Sequence, residues 1–312
     1  MVRLGGDCSG YNSAGLALEA LHVKYEDVFT SEVDKKVRQV LKRNFPDLKS
    51  GKHIQHDCTT RDPKTTPECD LYTAGFPCQP YSTQGAKKGS RDSRSKAIIR
   101  AILAYITEKL PRAFCLENVS GLVDEHREFF DWVLKRLKEI QDGYYEVIWS
   151  FVDTKLSGIP QSRKRVLIVG ISQKHKVHNF EWPEAVEMSD LEEFLDPVDK
   201  KQLKNPCLPT AEYQLRNYVT LLEKIKERSD GVWKRTSPWV GDLQASETFG
   251  PLLMHNMVPC ITRARAGGGG FYLFNRGRTV LPTILFQKFL SELNRKLGQI
   301  AHQKTRHMSF RY

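Results

Sequence analysis

The 312-residue chain has no Cys-x-x-Cys pair. Its seven cysteines are scattered singly, which excludes the disulfide frameworks of small secreted domains and the thiolate clusters of structural zinc sites. With no signal peptide at its start, this usage is expected of a protein in a reducing intracellular compartment. Apolar runs stay far short of the roughly 20 residues that cross a bilayer, so no membrane partner is expected. Internal repeats are missing as well, which sets aside solenoids and propellers. No His/Cys group has ligand spacing, and no metal is implied.

Positive charge is what the chain has in excess. Lys and Arg outnumber Asp and Glu 48 to 37, a formal net charge of +11. Each cation that neutralises a phosphate releases condensed counterions, so a polyanionic partner is favoured. A basic enzyme with a small acidic substrate fits the charge equally well, and the motifs must separate the two.

Residues 1–170 alternate two periodicities. Tyr25–Ser31, Leu71–Ala74, Ala113–Asn118, Tyr145–Val152 and Arg165–Gly170 read as strands. Ser13–Leu21, Asp34–Phe45, Ser93–Lys109 and Glu125–Ile140 have helical spacing, the last with Phe129, Val133, Leu137 and Ile140 on one face. Such alternation predicts an α/β sheet that binds ligands at the carboxyl ends of its strands, near a reversal of strand order. From about Ile171 to Pro259 the sequence turns charged and proline-broken, which predicts a smaller, irregular second domain.

The segment Ala74-Gly75-Phe76-Pro77-Cys78-Gln79-Pro80-Tyr81-Ser82 follows a predicted strand, and its prolines and glycine stiffen a loop around one thiol. A free cysteine is mostly thiol at neutral pH, so a reactive one needs a helix start or cationic neighbours. Lys87, Lys88, Arg91, Arg94, Arg163 and Arg165 are candidates. A lone Pro-Cys is usually structural, and the companion segments remove that default. Ala113–Val119 is an apolar strand ending in Glu117-Asn118-Val119, and Gln161-Ser162-Arg163-Lys164-Arg165 precedes the strand Val166–Gly170.

Together these segments resemble the DNA cytosine C5 methyltransferase family. The resemblance implies a Rossmann-like S-adenosylmethionine-dependent sheet in residues 1–170, a target-recognition domain in 171–270 and a return segment in 271–312. It makes Cys78 the nucleophile toward the cytosine ring, Glu117 the acid that grips the base, and Arg163 and Arg165 the residues that orient base, glutamate and phosphate. Strand alternation would put both arginines on one face. A carboxyl held in a dry pocket has a raised pKa and can offer a proton to N3 of cytosine, the state expected of Glu117. Asn118 is expected to orient the loop.

The polar, glycine-hinged stretch Gly85–Arg94 reads as a lid, and the resemblance implies that it closes once the cytosine leaves the duplex. Ser82, Lys87, Arg91, Arg94, Gln161 and Arg263 are the expected nucleic-acid contacts, Arg263 within Pro259-Cys260-Ile261-Thr262-Arg263. On the cofactor side, Cys8, Ser9, Gly10, Tyr11, Asn12 and Ser13 match the family's first S-adenosylmethionine motif, with Asn12 and Ser13 in place of two glycines and Cys8 where an aromatic is common. Glu32 and Val33 follow the second strand, where an acid can take ribose hydroxyls. Asp57 and Cys58 match the adenine element, and Pro77 and Gln299 complete the expected pocket.

The partner expected from the resemblance is double-stranded DNA, bound by an intracellular monomer located with that DNA, in the nucleus if the source is eukaryotic. A tRNA cytosine-5 methyltransferase on the same fold and a catalytically silent DNA-binding homologue remain as alternatives.

Overall fold

A computed structural model describes residues 1–77, 93–196, 209, 211–228, 238–244, 250–261, 271–275 and 278–280. The chain divides into two units, Met1–Val152 with Lys164–Trp182, and Asp153–Arg163 with Pro183–Tyr312.

In chain order the elements are β1 (Val2–Asp7), α1 (Ser13–Ala20), β2 (Tyr25–Ser31), α2 (Lys35–Asn44), β3 (Ile54–Gln55), β4 (Leu71–Gly75), α3 (Ser93–Lys109), β5 (Ala113–Val119), α4 (Gly121–Asp124), α5 (Arg127–Lys138), β6 (Tyr145–Asp153), β7 (Gln161–Ser162) and β8 (Lys164–Ser172). They continue with α6 (Glu212–Arg228), β9 (Trp239–Asp242), β10 (Leu253–His255), β11 (Val258–Pro259), β12 (Phe271–Asn275) and β13 (Arg278–Val280).

The first unit is built on a seven-stranded sheet of order β3-β2-β1-β4-β5-β8-β6. β3, β2, β1, β4 and β5 run parallel, and β8 is antiparallel to β5. Chain order reverses around β1: β2 and β3 lie on one side, β4 and β5 on the other. That reversal opens a crevice at the carboxyl ends of β1 and β4, where α/β sheets bind ligands. The predicted strands and helices match these elements to within two residues at most ends.

Packing follows the helical periods. In α3, Ile98, Ile99, Ile102, Tyr105 and Ile106 are buried and share one face. Tyr105 stacks on Tyr72 at 4.7 Å between centroids and meets Phe29 at 5.0 Å. On α5 Phe130 is fully buried with Val133 and Leu137, while Phe129 of the predicted stripe is half-buried against the same core. Phe129 also stacks on Trp132, 5.7 Å between centroids. At Gly170 an added Cβ would stand 2.0 Å from Cζ of Phe114, so β8 has no room for a side chain there.

In the second unit β10-β9-β12-β13 form a four-stranded sheet and β7 pairs with β11 in parallel. Asn217 on α6 donates to the carbonyl of Leu243 at 2.8 Å, and Leu221, Ile225, Leu243 and Leu253 are buried together. This unit differs from the expected irregular one in carrying a 17-residue helix. The segment expected from residue 271 as a return to the first domain begins with β12, paired with β9 in the second unit's sheet. Among the described residues no helix is long and apolar enough to cross a membrane.

Candidate active site

The ends of four parallel strands face one cavity of about 200 Å³. Cys8 follows β1, Glu32 and Val33 follow β2, Asp57 and Cys58 follow β3, and Pro77 follows β4; all six line it. Ser31, His56, Gly75, Arg94 and Ile98 complete the wall. Of these five, only Arg94 stands among the expected site residues, and it was assigned to a DNA phosphate.

The turn from β1 into α1 is left-handed at three residues, Cys8 (φ 50), Gly10 (φ 55) and Asn12 (φ 56). Asparagine tolerates this conformation better than most residues, so Asn12 keeps the backbone that a glycine would adopt. Its side chain caps α1 by accepting from Gly15 N at 3.3 Å and donates to both carboxylate oxygens of Asp27, at 3.0 and 3.1 Å. At 4% exposure Asn12 braces the turn from behind instead of lining the cavity. Ser9 has the same bracing place, with its hydroxyl on Thr30 and on the Ser31 carbonyl. Tyr11, 59% exposed, and Ser13 are also off the cavity wall.

Glu32 is held by two backbone donors, Gly10 N to Oε2 at 3.1 Å and Asp34 N to Oε1 at 2.8 Å. A carboxylate offers about four acceptor positions, so two hydroxyls can still be received. Arg38 fixes the same loop by donating to the carbonyls of Glu32 and Val33, at 2.8 and 2.7 Å. Asp57 caps the 3-10 turn Cys58–Thr60, accepting from Thr59 N at 2.9 Å and from its hydroxyl at 2.7 Å. Those bonds, with the charge of Arg94, hold its carboxyl below the ordinary range. Its Oδ2 remains for an amino donor. A hydrogen bond with Cys58 and burial push the Cys8 thiol up, which favours the neutral thiol in the cavity wall. The donor set therefore fits a ribonucleoside: acids for ribose and amine, apolar and thiol walls for a base.

Glu117 stands in β5 opposite Leu167, and its Oε2 lies 3.6 Å from where a Cβ on Gly75 would be. Gly75 lines the cavity, so the carboxylate sits at its rim. Arg165 Nε meets Glu117 Oε1 at 2.9 Å. The dry pocket expected around Glu117 is not what the structure shows, since the side chain is 35% exposed and ion-paired. Asn118 is buried and its amide reaches the Phe76 carbonyl at 3.4 Å, tying β5 to the segment before Cys78.

Of the two arginines only Arg165 lies in β8. β8 begins at Lys164, and Arg163 precedes it within the second unit. There Arg163 N donates to Asp153 Oδ1 at 2.9 Å and its guanidinium reaches Cys260 Sγ at 3.4 Å. Gln161, expected on nucleic acid, is 7% exposed in β7, with its carbonyl accepting from Thr154 at 2.6 Å. Cys78, Ser82, Lys87, Arg91, Arg263 and Gln299 lie outside the described residues.

The sheet order, the antiparallel β8 and the cavity at the β1/β4 crevice define a Rossmann-like fold of the methyltransferase class. Among solved structures the fold resembles that of the S. pombe Dnmt2 methyltransferase, with a TM-score of 0.52 and 21% identity over 71% of this chain and 67% of that one. The chain belongs to the C-5 cytosine-specific DNA methylase family, which matches residues 8–283. It is 32% identical over 206 residues to the type II methyltransferase M.HpaII of Haemophilus parainfluenzae, covering 65% of this chain and 54% of that protein. To M1.ScrFI of Lactococcus lactis subsp. cremoris it is 38% identical over 152 residues, 48% of this chain and 37% of the relative. The chain thus aligns with about half or less of the length of these curated relatives.

Proposed function

We propose that the chain is a DNA cytosine-5 methyltransferase that works through a covalent Cys78 adduct on a flipped-out base, binding duplex DNA as an intracellular monomer. The observation that carries this reading is the Glu117 carboxylate, oriented by Arg165 at the rim of a cavity whose acids suit a nucleoside cofactor. Glu32 would take the ribose hydroxyls and Asp57 the adenine amine, between walls of Cys8, Val33, Cys58 and Pro77. Bound there, S-adenosylmethionine supplies the methyl group that ends on C5.

The chain's own residues do the rest. Cys78 thiolate adds to C6, which makes C5 electron-rich. Glu117 holds the base at N3 and its exocyclic amine while charge develops in the ring. Arg165 keeps that carboxylate aimed, and Arg163 serves the base and its phosphate. After C5 is alkylated, loss of its proton and expulsion of Cys78 restore the aromatic ring.

The test is transfer of labelled methyl from S-adenosylmethionine to unmethylated duplex DNA and to total tRNA, wild type beside Cys78→Ala. Label in 5-methylcytosine of DNA, lost in the variant, is the expected result. Label confined to tRNA would move the substrate, and no label from a folded protein would refute the reading.

A further inference from the structure

Arg61 holds a charge that the proposed reaction does not use. Its side chain is 6% exposed and pairs with Asp7, which is 0% exposed. Nη1 donates to Asp7 Oδ1 at 2.5 Å and Nη2 to Oδ2 at 2.7 Å, a two-pronged fork. The Tyr72 hydroxyl donates to the same carboxylate at 2.5 Å. Nη1 also reaches Ser31 Oγ at 3.2 Å and Gln55 Oε1 at 3.3 Å. The rings of Phe29 and Tyr105 each lie 5.1 Å from the guanidinium carbon. Burial opposes the Arg61 charge, and the hydrogen bond to Asp7 together with the surrounding negative charge, that of Asp7 first, outweighs it, so the group stays cationic.

Each hydrogen-bond partner of Arg61 ends a strand that leads to the cavity. Asp7 ends β1 and precedes Cys8, Ser31 ends β2 and precedes Glu32, and Gln55 ends β3 two residues before Asp57. Arg61 itself follows the 3-10 turn Cys58–Thr60. A buried ion pair contributes little net stability over apolar packing, because desolvation consumes most of the attraction. A planar fork does fix directions and spacings that apolar contacts leave loose.

We propose that Arg61 is a positioning residue for the cofactor cavity, its fork setting the spacing of the ends of β1, β2 and β3 so that Glu32 and Asp57 address one ligand. This rests on the proposed function. Asp7 anchors the fork and Tyr72 locks its second oxygen.

The test is titration of the full chain with S-adenosylmethionine by calorimetry, for wild type and Arg61→Lys, with KM and kcat beside it. The lysine keeps the charge and loses the fork. The expected result is a folded protein whose Kd and KM for the cofactor rise on the order of ten- to a hundredfold, with kcat at saturation falling by a smaller factor. A lower Tm with unchanged Kd and KM would make Arg61 a brace of the fold alone and overturn the inference. If Arg61→Lys does not fold, Asp7→Asn with Arg61→Gln removes both charges at similar volume and is read by the same criteria; failure of both to fold also overturns it. A wild type that binds no S-adenosylmethionine refutes the proposed function and this inference together, whereas a wild type that binds and a variant that matches it refute this inference alone.

Discussion

Arg165 reaches Glu117 diagonally across the antiparallel β5–β8 pair, from a position opposite Val119, with Nε 2.9 Å from Oε1. The two side chains act as a unit in the proposed reaction, which sets the pattern their variants should follow. Glu117→Gln is expected to slow methyl transfer by about 10²- to 10⁴-fold. Arg165→Ala should cost about tenfold or more, and the double variant should be hardly slower than Glu117→Gln alone. Single-turnover transfer to duplex DNA measures all three; additive losses would mean the pair is not a unit.

Glu32 serves two ends at once, fastening Gly10 and Asp34 while facing the cavity. Glu32→Ala should raise the Kd for S-adenosylmethionine by about tenfold or more, which corresponds to at least 1.4 kcal/mol. Affinity for DNA, measured separately by gel shift, should change little.

Asp27 gives a pH dependence. Burial, only partly offset by the Asn12 amide, pushes its carboxyl up to about 6 from 3.8. A carboxyl raised in the folded state binds more protons folded than unfolded, so its contribution to stability falls as pH rises from about 4 to about 6. The cost above that window is on the order of 3 kcal/mol. Asp27→Asn keeps an acceptor for Asn12 and removes the charge. Urea titrations at pH 5 and pH 8 should show the variant gaining about twice as much on wild type at the higher pH, and an equal gain at both would count against the assignment.

Gly170→Ala forces a methyl to within 2.0 Å of the Phe114 ring, which is itself buried against Tyr145. The expected loss is about 1–3 kcal/mol or more, because a close-packed core yields little. A truncating partner change, Phe114→Leu, should recover part of the loss in a thermal melt; no recovery would place the strain elsewhere.

Much of the first unit was legible because local signals agree with the global fold there. Tyr25–Ser31 and Ser93–Lys109 appear with the bounds that their periodicity predicts. The acids at strand ends were legible for the same reason, since Glu32 and Asp57 occupy turns whose position follows from strand order. Asn12 was legible as a departure but not as a solution: that it keeps a left-handed turn and spends its amide on Asp27 depends on a contact 15 residues away. Arg61 and Asp7 gave no signal, because a charged pair of this kind looks like ordinary surface until the sheet buries it. The burial of Gln161 was not legible for a topological reason. Its short strand, Gln161–Ser162, pairs with Val258 and Pro259, and nothing local announces a partner so far along the chain.

The excursion Asp153–Arg163 has a consequence for how such proteins can be cut and recombined. The backbone leaves the first unit after Val152, returns at Lys164, and leaves again after Trp182. A graft that exchanged only residues 183 onward would strip β7 of β11, orphan the backbone groups that this ladder satisfies, and leave Arg163 without Cys260. A recombinant that transplants both pieces together keeps those bonds. Likewise, on the ribosome the first of these pieces must wait for roughly a hundred further residues before its mate emerges, so the second unit can close only late in synthesis.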